Sequence, residues 1–145
     1  MNLDLIESYA KMGVLRKRIV DKQRVNSLIN ASRVVANSVI KIALDETTST
    51  TIFREIYESI RQLGVAKWWI LGYEPLNHEI SLNILEDEKI KNKLKLNLLS
   101  RFRLIRNESN YQGFLISVDN AKEIIDFWEL CGEEIILNLE KRLNS

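Results

Sequence analysis

The chain has 145 residues, a net charge of +1, one cysteine, one proline and five glycines. A chain this long can bury a sizeable core without a metal or disulfide staple, and a lone Cys131 closes no intramolecular bridge. No run approaches the ~20 apolar residues of a membrane span, and Met1 to Tyr9 carries two acids and no apolar run of signal-peptide length. The expectation is one cytoplasmic domain over 1–145, with no membrane partner. A near-neutral charge also means that any anionic partner must be met by a local patch.

Taken in order, Leu3, Ile6, Ala10 and Met12 suggest a leading helix, loosened at Gly13 and resuming through Leu15, Ile19 and Val20. Residues 1–20 thus read as a helical extension ahead of a bundle over 21–145. Asp21 is suited to cap the next helix, because its carboxylate accepts from first-turn amides. Val25, Leu28, Ile29, Ser32, Ala36, Val39 and Ala43 then recur at three- and four-residue spacing, an apolar stripe on one helix. Asp45 to Thr51 breaks the stripe, since Ser, Thr and Asp compete for backbone hydrogen bonds. Ile52 to Leu71 forms the next helix. Gly64 inside it costs about 1 kcal/mol against alanine, which implies a close helix contact.

Pro75 ends that segment, and Asn77 caps a short helix to about Leu85. Lys89 to Leu98 alternates with period two, as a half-buried strand would. With few β-branched residues and no partner strand in view, it reads as helix instead, continuing to Asn110. Tyr111 to Phe114 turns the chain, and a last helix starts near Ser117, burying Ala121, Ile124, Ile125, Trp128, Ile135 and Leu139. The fold class expected is all-α: an antiparallel up-down four-helix bundle with extra short helices.

Chemistry concentrates on two polar stripes. Arg103, Arg106, Asn107 and Asn110 follow i, i+3, i+4, i+7, and so share one helix face, with Tyr111 next in the chain. Arg54, Glu58 and Arg61 follow i, i+4, i+7 on the Ile52–Leu71 helix, with Tyr57 beside them. Facing each other, these stripes would line a charged groove, in which arginine grips phosphate with a bidentate fork. Any amphipathic surface helix also shows a charged face, and Arg54–Glu58–Arg61 could be ordinary pairs in water. Asn107 and Asn110, poor helix formers on an arginine face, favour the site. His78, the one histidine, fits a helix start beside its cap, and offers no metal ligand set. Of the adjacent Trp68 and Trp69, pointing about 100° apart, one suits the core and the other an interface or groove. The lysine run Lys89, Lys91, Lys93, Lys95 with Arg101 spreads around its helix as solvated surface.

The stretch Arg103-Leu-Ile-Arg106-Asn107-Glu-Ser-Asn110-Tyr111-Gln-Gly113 resembles the motif region of the HEPN superfamily of helical bundles. Ile52 to Arg61 resembles their second core helix, and Leu71-Gly72-Tyr73-Glu-Pro-Leu-Asn-His78-Glu79 their glycine–aromatic, then His-Glu connection. The likeness covers most of Asp21 to Leu139. It implies a homodimer that binds RNA or a nucleotide, or partners a minimal nucleotidyltransferase in a toxin–antitoxin-type pair, with no cofactor. The site would be Arg103, Arg106, Asn107, Asn110 and Tyr111, flanked by Arg54, Tyr57, Glu58 and Arg61. In catalytic members a histidine follows the arginine by four to six positions. Here Asn110 or Tyr111 stands there, and neither takes up a proton near pH 7 as imidazole does. Non-catalytic binding is therefore the expectation. The alternatives are a metal-independent endoribonuclease using His78 or Tyr111, and a structural protein-interaction module.

Overall fold

The structure, a computed structural model, describes residues 2–145; Met1, the first residue of the expected extension, lies outside the described residues. The chain is mostly helical, as expected, with one small two-stranded sheet that was not. Helix α1 (Leu3–Lys11) is capped by Asn2, whose side chain accepts from the Leu5 amide at 2.8 Å. It does not resume after Gly13. That residue takes a left-handed conformation (φ 78°), which ends the helix, and Leu15–Lys17 becomes strand β1. Its antiparallel partner is β2 (Tyr73–Pro75), with Leu15 opposite Pro75 and Lys17 opposite Tyr73. Leu15 is buried while Arg16 and Lys17 face out, so a single apolar anchor sets the register. The expected helical extension is thus a nine-residue helix followed by a three-residue strand.

Helix α2 (Lys22–Val39) starts at Asp21, which accepts from the Arg24 amide at 3.0 Å. It stops before Ala43, which is exposed rather than part of the stripe. Asp45 and Thr48 then satisfy each other's amides reciprocally, both at 3.0 Å, in the manner of a capping box. That pairing lets α3 (Ser49–Ile70) begin three residues earlier than its apolar pattern indicates.

Helix α3 is the hub, packing on α2 and on the four helices that follow it in the chain. These are α4 (His78–Asn83), α5 (Leu99–Gln112), α6 (Val118–Phe127) and α7 (Glu133–Leu143). Asn77 and Ser117 cap α4 and α6, accepting from the amides of Ile80 and Asn120. Lys89 to Asn92 is not helical; Lys93–Leu98 forms a 3₁₀ turn leading into α5. Only Leu96 of that turn is fully buried, so no continuous apolar stripe draws the lysine-rich run into an α-helix. Between α6 and α7, Trp128–Gly132 widens to a π turn. There Gly132 lies against the Trp128 indole, where a Cβ would come within 2.8 Å of the ring.

Phe53, Phe102 and Phe127, from α3, α5 and α6, meet edge to face with centroids 5.9 and 5.7 Å apart. Gly64 allows α4 to approach α3, for a Cβ there would sit 1.6 Å from the Ser81 carbonyl oxygen. Both Trp68 and Trp69 are buried. Trp68 donates to the Ile80 carbonyl at 2.7 Å, and Arg24 covers the Trp69 ring at 4.6 Å, so neither forms an open interface. Cys131 is buried. Among the described residues no helix is long and apolar enough to cross a membrane.

Candidate anion-binding site on helices α3, α4 and α5

Helices α3 and α5 meet in opposite directions. Ser49 donates to the Ile116 carbonyl, Arg54 donates to the Ser109 hydroxyl at 3.0 Å, and Tyr57 lies under Arg106. This brings the two polar stripes face to face, and the start of α4 adds a third wall with His78.

Tyr57 is the floor. The residue is 1% exposed, the Arg106 guanidinium carbon lies 5.7 Å above its ring centroid, and among the described residues its hydroxyl has no hydrogen-bond partner. Burial raises the phenol above its usual value of 10.0, while the charges of Arg106, Arg61 and Arg103 pull it down and Glu58 pushes it up. Those four charges therefore all act on one buried donor. Glu58 takes the Arg61 fork from below, accepting from Nε at 2.9 Å and from Nη2. His78 occupies the same neighbourhood: burial lowers its pKa below 6.5, Arg61 and Arg106 lower it further, and Glu58 opposes them. Its Nδ1 is buried and has no partner among the described residues.

Arg103 and Arg106 of α5 differ from the other partly buried cations. Among the described residues, Arg18 meets Glu74 at 3.0 Å, Arg33 meets Glu133 at 2.8 Å, Lys95 meets Asp126 at 3.0 Å, and Arg61 holds Glu58. Buried Lys67 meets Asp87 at 2.8 Å. Arg103 and Arg106 are partly buried too, yet neither reaches a carboxylate. Arg106 has only the Tyr57 ring and a long 3.5 Å bond to the Asn107 side chain. A desolvated cation without an anion costs free energy, and cation–π contact returns only about 0.5–2 kcal/mol. An anionic ligand would remove that penalty.

Of the residues expected from sequence, Tyr57, Glu58, Arg61, Arg103, Arg106, Asn107 and His78 converge. Arg54 does not join them; it bonds Ser109, one turn toward the start of α3. Asn110 is exposed, and Tyr111 is 83% exposed. Tyr111 follows Arg106 by five positions, or about 140° around the helix, so it points away from the cluster. Sequence reasoning missed Ser109, buried on the same helix. The only signal for it was a small polar residue between the arginine face and the apolar face. The lysine run behaves as expected. Lys89, Lys91 and Lys93 are exposed, Lys95 pairs with Asp126 and Arg101 with Glu123, so the run is solvated surface with two of its cations paired.

Comparison with protein-family models, with curated proteins and with solved structures gives no match to this chain.

Proposed function

We propose that the chain is a HEPN-like domain, an antiparallel up-down four-helix bundle with extra short helices, that binds the phosphate of an RNA or nucleotide without cleaving it. In this reading it acts as a cytoplasmic homodimer or as the partner of a minimal nucleotidyltransferase. The observation that carries the reading is the pair of partly buried arginines, Arg103 and Arg106, that reach no carboxylate among the described residues, with Arg106 over the ring of Tyr57. Arginine binds phosphate oxygens with two parallel N–H bonds, and a charged hydrogen bond of this kind contributes about 1.5–3 kcal/mol. Arg106→Ala should therefore weaken binding of RNA or nucleotide by roughly tenfold or more while leaving the thermal midpoint close to wild type. Unchanged affinity in that variant would overturn the reading.

A second reading, metal-independent RNA cleavage, is favoured by one observation: the only histidine of the chain stands in the arginine cluster with its Nδ1 unpartnered. A neutral imidazole beside two guanidinium groups is a general base placed near phosphate-binding charge. Purified protein incubated with RNA in excess chelator tests it. Cleavage that disappears in His78→Ala would replace the binding reading; intact RNA would retire the cleavage reading.

A further inference from the structure

Charge balance at the site discriminates between the two forms in which RNA and nucleotides carry phosphate. Arg106 lies over the Tyr57 ring, Arg103 stands one turn before it on α5, and Arg61, one turn beyond Tyr57 on α3, is held by Glu58. Three guanidinium groups thus share this region with the single carboxylate of Glu58, which leaves two positive charges uncompensated. An internal phosphodiester brings one negative charge, whereas a terminal phosphomonoester carries about −1.5 to −2 at pH 7 and a third strong acceptor oxygen. We infer that this site takes a terminal phosphomonoester, on an RNA end or a nucleoside monophosphate, in preference to an internal phosphodiester. The inference rests on the phosphate-binding reading above and narrows it.

The surroundings agree. Tracking a nucleic acid backbone needs cations at successive phosphate positions along a groove. Besides the partly buried Arg103 and Arg106, the one exposed cation of α5 is Arg101, which is paired with Glu123. The other exposed positions, among them Leu104, Glu108, Asn110 and Tyr111, carry no positive charge, and Glu79 is exposed beside His78 on α4. Arg54, the nearest cation along α3, is bonded to Ser109. The positive charge is therefore a spot and not a track. The donor set also suits a monoester: two free forks, the Arg61 fork shared with Glu58, and a buried phenol whose proton is held firmly by its surroundings. His78, neutral above pH 6.5, adds no third net charge at neutral pH and can still donate through a ring N–H.

The test measures affinity of the full chain, by fluorescence anisotropy, for one oligoribonucleotide with a 5′-phosphate, a 3′-phosphate or hydroxyls at both ends. A nucleoside monophosphate and inorganic phosphate serve as competitors. A phosphorylated end should bind roughly tenfold or more tighter than the hydroxyl-ended oligomer. Arg106→Ala or Arg103→Ala should abolish the difference. Tyr57→Phe should keep the fold, since it removes only an unsatisfied hydroxyl, and should shrink the preference. Competition by the monophosphate at a strength equal to the oligomer assigns the site to free nucleotides; competition only by the oligomer assigns it to RNA ends. Equal, Arg106-dependent affinity for all three oligomers overturns this inference and leaves the phosphate-binding reading intact. Binding of no probe, or binding indifferent to Arg106, overturns both.

Discussion

His78 reports on the whole cluster, because it is the one histidine and its ring feels burial first, then the charges of Arg61 and Arg106. All three favour neutral imidazole, so the folded pKa lies below the unfolded value of about 6.5. The neutral form then stabilises the fold above pH 6.5, and that contribution is lost as pH falls through the lower folded pKa. The His78 proton resonances in an NMR titration should move below pH 6.5, and Arg106→Ala should carry the midpoint back toward it. A midpoint at or above 6.5 in the unliganded protein would mean that the arginines do not surround the ring. The arginine spacing on α5 is legible in sequence, since it needs only the helical period. The arrival of His78 is not, because α4 is set by contacts that no local pattern encodes.

At the scale of elements, α4 lies directly against α3 at Gly64, where there is no room for a side chain. A methyl group there has to displace the Ser81 backbone, and with it the start of α4 that carries His78. Gly64→Ala should therefore cost about 3 kcal/mol, the upper end for overpacking against a rigid neighbour. It should also weaken anion binding by moving the third wall of the site. Equilibrium denaturation and the binding assay check both; a variant as stable as wild type would show that the helices separate without cost. Helix starts were readable wherever a short acceptor precedes an apolar run, as at Asp21, Asn77 and Ser117. The β1–β2 ribbon was not. Its strands span only Leu15–Lys17 and Tyr73–Pro75, too short for a period-two signal, and each finds its partner far along the chain.

Across the whole molecule, one buried network joins parts distant in sequence. Lys67 on α3, 3% exposed, meets the fully buried Glu88 and donates to the Ile84 carbonyl at 2.8 Å. Glu88 also faces Arg142 of α7 at 3.3 Å and Asn138 at 3.4 Å. Removing Glu88 leaves buried Lys67 with the half-exposed Asp87 and the Ile84 carbonyl, so Glu88→Ala should cost about 3 kcal/mol in denaturant unfolding, the lower end for a broken buried pair. Arg142→Ala, at a half-exposed position, should cost far less. A loss under about 1 kcal/mol for Glu88→Ala would mean that water replaces the carboxylate readily.

Sequence alone determined that the chain is mostly helical, where most helices begin, and that Arg103, Arg106 and Asn107 share a face. These follow from local rules: the 3.6-residue period, side-chain caps and the scarcity of proline. Tertiary structure alone decided the rest. It turned residues 15–17 into a strand, buried Lys67 against Glu88, directed Arg54 to Ser109, and left Tyr111 outside the cluster. It also set His78 and the unpartnered Tyr57 hydroxyl among the arginines. Each of these depends on which surfaces meet when helices pack, and hence on the summed burial of many side chains rather than on any one stretch of sequence.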